Sequence, residues 1–265
     1  MRSVVSLVVG AVLWVGAAGV ARAQSASIDD QARFVANVEE AKAHLLISQE
    51  LYAAGQAPKA ALHSSHPVQE LGNRVIGPIK KVNGALGERV RALLKQPREA
   101  IDGHVARPQY EALVTEVSGA LDDAVNRVVP KDVRASVAFQ AKVIGRLLAA
   151  VVEEYDEAWK SGRIAQIIEY QDAYGFFRRA HALYRTLASR LPGSSDADFA
   201  ALASGFPGVS PPAAPLPLGR VKALVARIST SLARAASAAA TRRGAGLAFG
   251  ATCGRVRPPT RIGML

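Results

Sequence analysis

PKDVRASVAFQAKVIGRLLAAVVEEYDEA, residues 130–158, is the stretch that decides the fold class. Its apolar residues recur at steps of three and four, the spacing that places them on one side of an α-helix. Pro130 can open such a helix because the first turn needs no N–H from it. The stretch therefore predicts a long helix whose narrow apolar stripe is typical of a helical bundle. The stripe consists of Val133, Val137, Ala141, Ile144, Leu148, Val151, Tyr155 and Ala158.

Helical spacing continues on both sides of this stretch. Upstream, the pattern predicts helices over about 29–52, 57–64 and 108–128. Gly55 ends the first of these helices, and Pro67 is predicted to open a further, less regular one. Downstream, an aromatic-rich helix is predicted over about 166–190. The sequence contains no convincing strand pattern, so we expect an all-α bundle of about five or six helices over residues 24–191.

The N-terminus has the order of a secretory signal peptide. Arg2 precedes an uncharged apolar run of about 15 residues, and Ala21-Arg22-Ala23 is a small-x-small cleavage site. The alternative is an uncleaved membrane anchor, but the run is shorter than the roughly 20 residues that a spanning helix needs. We therefore expect cleavage of residues 1–23, a periplasmic or secreted protein beginning near Gln24, and no integral membrane span after cleavage.

The C-terminal part of the chain differs in composition from the bundle. Residues 192–228 are rich in Pro, Gly and Ala, and are predicted to form a flexible linker with a short C-terminal segment. Residues 229–265 form a basic, low-complexity tail with six arginines and no acidic residue. This tail is either disordered, a frameshifted extension, or a functional basic arm. It also holds Cys253, the sole cysteine, which argues against an internal disulfide and against cysteine catalysis.

Most of the positive charge lies outside the bundle. The chain has a formal net charge of +11, yet residues 24–228 hold 25 basic side chains against all 22 acidic ones. A high isoelectric point usually points to nucleic acid or an anionic membrane as partner. Because the body is nearly neutral, we expect no nucleic-acid partner for it.

Three histidines and a glutamate form the first candidate site. His63 and His66 are followed by Glu70, and His44 lies on the preceding helix. If the helices on either side of Gly55 form an antiparallel hairpin, His44 and His66 lie at the same level, eleven residues from the turn. Imidazole and carboxylate together bind borderline metals such as Fe, Cu or Zn. The alternative interpretation is a set of polar histidines at a helix junction.

Glu154 and Glu157 form a second candidate site within Glu153-Glu154-Tyr155-Asp156-Glu157. Residues three apart lie on adjacent faces of a helix turn, where two carboxylates can share a hard cation, including iron. The same run also fits a solvated helix face. Like charges repel there unless a cation or a basic side chain lies nearby.

Two neighbouring runs in this part of the sequence are Glu154-Tyr155-x-x-Ala158-x-x-x-Gly162-Arg163-Ile164 and Glu169-Tyr170-Gln171-Asp172-Ala173-x-Gly175-Phe176. Together they resemble the extracytoplasmic helical segments found with bacterial iron permeases of the FTR1 type. Residues 207–228 are similar to the way such segments end. The permeases' membrane helices and their Arg-Glu-x-x-Glu iron motif are absent. The resemblance implies a stand-alone periplasmic helical protein linked to iron or other metal handling.

Common catalytic motifs are absent from the sequence, including G-x-S-x-G, H-E-x-x-H, C-x-x-C and phosphate-binding glycine loops. We therefore expect a protein that is not an enzyme, that binds a metal ion or serves a metal-uptake system, and whose partner is a membrane metal-transport or other envelope protein. The alternative is a structural or adaptor protein that binds another envelope protein through its helical surface.

Overall fold

The computed structural model describes residues 16–191 and 193–250, and this part of the chain is an all-α bundle. Its helices are α1 (Gly16–Ala53), α2 (Ala57–Gln69), α3 (Gly72–Val82), α4 (Gly84–Asp102), α5 (Arg107–Val128), α6 (Lys131–Arg134), α7 (Val137–Ala158), α8 (Ile167–Leu187), α9 (Asp196–Ala203) and α10 (Leu218–Gly250). Two two-residue strands, β1 (Trp159–Lys160) and β2 (Arg163–Ile164), pair antiparallel between α7 and α8. None of the described helices is long and apolar enough to cross a bilayer.

The apolar stripe predicted over 130–158 forms one wall of the core. Six of its residues, from Ala141 to Ala158, are buried in α7, whereas Val133 and Val137 at its start are partly exposed. α7 packs against α8 and α10, and α1 packs against α2, α5, α7 and α8. The prediction of an all-α bundle is therefore confirmed, with a larger number of helices than expected.

The first hairpin turns at Gly55, as the sequence predicts. Gly55 has a φ of +72°, a left-handed conformation that glycine adopts without a steric penalty. Pro67 does not open a new helix, because α2 continues through it to Gln69. Pro67 has no N–H to bond the carbonyl four residues earlier, and only two further residues of α2 follow it. His63 and His66 are consequently one turn apart on the same helix.

A close approach of α1 and α8 sets the geometry of the bundle's centre. A Cβ built on Gly175 of α8 would lie 2.5 Å from Ile47 Cδ1 and 3.3 Å from Ala43 Cβ of α1. The absence of a side chain at 175 thus lets the two helices touch. One turn earlier on α8 is Asp172, and beside Ala43 is His44, so this contact brings their side chains together.

Part of the described chain after residue 191 packs in the bundle. Within the predicted linker, α9 buries Phe199 and Leu202, and the loop that follows buries Phe206. α10 begins at Leu218 and continues into the predicted basic tail, where Leu232 and Ala235 are buried. These apolar residues join the bundle core, because α10 packs against α7 and α9 while Phe199 and Phe206 stack on aromatic side chains of α8. Residues 1–15 of the predicted signal peptide and 251–265 of the tail lie outside the described residues.

Candidate metal centre

Four side chains from three helices meet in the interior of the bundle. His44 comes from α1, His63 and His66 come from α2, and Asp172 comes from α8. His44, His63 and Asp172 are buried, and the side chain of His66 is 13% exposed. One ligand atom from each of the four lies within 4.8 Å of those of the others. The hairpin argument correctly placed His44 level with His66, whose ring centroids are 4.8 Å apart.

All three imidazoles present Nδ1 to the same carboxylate. Asp172 Oδ1 lies 2.8 Å from His44 Nδ1 and 3.0 Å from His63 Nδ1, and Oδ2 lies 3.4 Å from His66 Nδ1. Despite these short distances, the Nδ1 atoms of His44 and His66 are buried without a hydrogen-bond partner. Their ring nitrogens therefore lie against the carboxylate without the geometry of a full hydrogen bond.

Gln171 fixes the orientation of His63. Its Nε2 donates to the backbone carbonyl of Val209 at 3.0 Å, which leaves Oε1 to accept from His63 Nε2 at 2.9 Å. Either ring nitrogen of His63 can carry the proton, because Asp172 Oδ1 can accept from Nδ1 and Gln171 Oε1 can accept from Nε2. With the proton on Nε2, the lone pair of Nδ1 is available to a metal ion. Metal-binding histidines commonly have this arrangement, in which the second ring nitrogen donates to a carbonyl or carboxylate.

The electrostatics of the cluster favour a cation. Burial would raise the pKa of Asp172, but the charge of His44 and the contacts from the three imidazoles hold that pKa well below its usual value. Burial likewise opposes the charged form of His66, yet the neighbouring Asp172 raises the pKa of His66 above its usual value. Asp172 is thus an ionised carboxylate in a buried position, and it requires positive charge beside it.

The donor set fits a first-row transition metal. Tetrahedral zinc holds nitrogen and oxygen ligands at about 2.0–2.2 Å, so neighbouring ligand atoms lie roughly 3.4 Å apart. The distances from Asp172 to the three Nδ1 atoms are of that order. An ion between them would also give the two unpartnered nitrogens a bond. Three imidazoles and one carboxylate suit zinc, copper or iron better than calcium or magnesium, which prefer oxygen.

Glu70 lies beside this cluster and not within it. It is the C-cap residue of α2, its side chain is 54% exposed, and its oxygens are 3.9 Å from His44 Nε2 and 3.7 Å from His66 Nδ1. Its position at the end of the helix directs the carboxylate toward the surface. From there Glu70 can act on the outer nitrogen of His44, as a carboxylate behind a ligating histidine does.

Glu154 and Glu157 lie in a separate group of carboxylates, together with Glu169 of α8. The β1–β2 hairpin reverses the chain between α7 and α8 and so brings Glu169 opposite the other two. Burial, followed by the charges of Asp172, Glu169 and Glu157, raises the pKa of Glu154 to about 9. A proton therefore occupies Glu154 at neutral pH when no cation is bound.

Glu40 of α1 supplies a pH-dependent prediction for the fold. Burial, opposed by Arg74 and assisted by Glu153, raises the pKa of Glu40 from 4.5 to about 7. Since the folded state holds this proton more tightly, Glu40 contributes stability that is complete below pH 4.5 and is lost as the pH rises through 7. Glu40→Gln should therefore stabilise the protein at pH 8 by up to about 3 kcal/mol and change little at pH 4.

Urea unfolding at pH 4 and pH 8 measures this effect. Glu116→Gln, at an exposed position of α5, is the matched control and should give the same change at both pH values. If the Glu40 and Glu116 substitutions change the free energy of unfolding equally at pH 8, ionisation of Glu40 does not destabilise the fold.

Sequence reasoning missed Asp172, Gln171 and Glu169 as members of these groups. All residues from Tyr170 to Phe177 are buried, so this part of α8 is surrounded on every side. An aspartate and a glutamine inside such an aromatic-rich run must each find a polar partner. This need for polar partners is the feature of the sequence that indicates a buried polar site on α8. It does not say which residues of α1 and α2 provide the partners.

The fold and the clustered histidines define a helical-bundle protein with a candidate metal centre. Residues 130–239 match the family model of the iron permease-associated 4-helix bundle domain, which confirms the resemblance seen in the sequence. The match includes Gln171, Asp172 and the three-carboxylate group, whereas the three histidines precede it. It also extends past residue 228, into the stretch predicted as a basic tail. No curated protein and no solved structure matches the chain.

Proposed function

We propose that the protein binds a transition-metal ion, iron, copper or zinc, through His44, His63, His66 and Asp172. The observation that carries the proposal is the convergence of three Nδ1 atoms on one buried carboxylate, two of them without a hydrogen-bond partner. In a core made only for stability, buried polar atoms are paired in almost every case. A bound cation satisfies the two nitrogens and the charge of Asp172 together.

The matched domain supports a role in metal uptake. Its description associates it with iron permeases, and the carboxylate of the candidate centre lies within the match. The protein acts as a metal-binding component outside the cytoplasm, in the periplasm or as a secreted protein, after cleavage of residues 1–23. It serves a membrane metal-transport protein as its partner, and it binds and delivers the ion without catalysing a reaction.

Glu154 and Glu157, with Glu169, rank second as ligands. Glu157 is exposed, so water competes for its carboxylate. The proton on Glu154 must also leave before a cation can bind there. The members of this group that are ionised provide negative potential close to Asp172, and this potential attracts cations toward the histidines.

Calorimetric titration of the metal-free protein with Fe(II), Cu(II) and Zn(II) tests the proposal. The wild type should bind one equivalent of at least one ion, and His63→Ala/His66→Ala should weaken its affinity by at least about a hundredfold, since two ligands are lost. His104→Asn is the control, because it replaces an exposed histidine and asparagine tolerates the φ of +53° at this position. This variant should bind the ion as the wild type does. Absence of binding by the wild type, or equal binding by the double variant, would contradict the site.

A further inference from the structure

A cleft of about 340 Å3 opens next to the candidate metal centre, between α2, α3 and α4. We call it the α3 cleft. Its polar lining consists of three cations, Arg74, Arg91 and Lys95, together with Gln69, Asn73 and Glu70. Apolar side chains complete its walls. The volume is within the range of sites that bind small molecules.

Two of the three cations of the α3 cleft have no ion-pair partner among the described residues, and the third has a distant one. Arg74 and Lys95 form no ion pair or hydrogen bond within the described part of the chain, and Arg91 only approaches Glu88 at 3.9 Å. Three like charges gathered in one concavity repel each other, and an anion between them removes that repulsion.

The acidic groups near the cleft do not neutralise it. Glu70 is the one carboxylate in its lining, against three cations. Glu40 also acts on Arg74, but its pKa of about 7 leaves it partly protonated at neutral pH. The net charge of the lining is therefore positive.

The start of α3 offers backbone donors to the cleft. α3 starts at Gly72 without a side-chain cap, and its first turn forms part of the lining. The first N–H groups of a helix and its dipole favour negative charge. A Cβ built on Gly72 would meet no atom within 4 Å, so the space in front of this turn is open.

We infer that the α3 cleft binds a small anion carrying two or more carboxylate groups, or a phosphate. Arginine guanidinium groups match the geometry of these oxyanions, because each offers two parallel N–H donors. Lys95 adds a point charge, and Gln69 and Asn73 add neutral donors. The bound anion lies beside Glu70, whose carboxylate is within 4 Å of His44 and His66. The protein therefore carries an anion site and a metal site as neighbours.

Titration of the metal-free protein with citrate and, separately, with inorganic phosphate tests this inference. Any chelator used to remove metal must be dialysed away first, because it is itself a polycarboxylate. We expect at least one of the two anions to bind with a Kd below about 1 mM at low salt, and more weakly as the salt concentration rises. Stronger binding of citrate identifies a polycarboxylate ligand, and stronger binding of phosphate identifies a phosphate ligand.

The matched variants remove equal charge inside and outside the cleft. Arg74→Gln/Arg91→Gln/Lys95→Gln should weaken anion binding by at least about tenfold, since charge-assisted hydrogen bonds are lost. Arg127→Gln/Lys131→Gln/Arg185→Gln changes three exposed cations elsewhere and should stay within about twofold of the wild type. All six positions are exposed, and circular dichroism checks that both variants fold.

Two results would overturn the inference. One is no binding of either anion by the wild type up to about 10 mM, well above the expected Kd. The other is equal binding by the cleft variant and the wild type. Failure here is distinct from failure of the metal site, because the cleft variant retains all four proposed ligands and His63→Ala/His66→Ala retains all three cations.

Discussion

Asp172→Asn is expected to remove the stabilisation that a bound metal ion gives to the fold. A ligand that binds only the folded state at a hundred times its Kd stabilises that state by about 2.7 kcal/mol. Asparagine has the shape of aspartate but lacks its charge, so the variant loses the single anionic ligand of the four. If the Kd rises about a hundredfold, the same metal concentration contributes only about 0.4 kcal/mol.

The same substitution should also destabilise the metal-free protein. Asp172 is 3% exposed and faces three imidazoles. Removing one partner of a buried charged group leaves the others uncompensated, which typically costs about 3 kcal/mol or more. If the four side chains form only a structural network, the substitution lowers the stability of the metal-free protein and has no further effect. If they bind a metal ion, the substitution also removes the extra stability that the ion provides.

Urea unfolding with and without the ion separates the two effects. Asp123→Asn, at an exposed position of α5, is the matched control and should keep both the stability and the metal-dependent gain of the wild type. A metal-dependent gain in Asp172→Asn equal to that of the wild type would exclude Asp172 as a ligand.

Phe199→Ala should destabilise the protein by about 3–5 kcal/mol, although Phe199 lies in a stretch whose composition predicts a flexible linker. Its side chain is fully buried and stacks on Tyr184, with ring centroids 4.2 Å apart, and on His181, at 5.1 Å. Tyr184 holds the start of α9 in place, since its hydroxyl accepts from the Ser195 N–H and donates to Asp196. Alanine would leave a cavity that these neighbours cannot fill.

Equilibrium unfolding by urea measures the loss. Leu62→Ala is the control, because Leu62 is 47% exposed and its truncation should cost less than about 1 kcal/mol. A loss of that small size for Phe199→Ala would mean that residues 196–203 do not pack in the core.

Local patterns predicted the elements that carry their own periodicity or turn residue. The stripe on α7 is visible because one face of a long helix is buried, and each turn repeats the signal. Gly55 marks the first hairpin, and equal spacing on both sides of it places His44 beside His66. These features depend on residues that are near each other in the chain.

Features that depend on distant residues were not predicted. Asp172 meets His63 across 109 positions of sequence, and their meeting requires α8 to touch α1 at Gly175. No local pattern encodes that contact. α9 was missed because eight residues between Pro- and Gly-rich stretches carry too short a periodic signal. Its helix is stabilised by burial of Phe199 and Leu202 in the tertiary structure.

A crystal structure of the metal-loaded protein, with diffraction recorded at the absorption edge of the ion, tests the central claim most directly. The proposal predicts one strong anomalous peak, between the Nδ1 atoms of His44, His63 and His66 and the carboxylate of Asp172, at about 2.0–2.2 Å from each ligand atom. A sole peak among Glu154, Glu157 and Glu169, or no peak in the bundle, would contradict it.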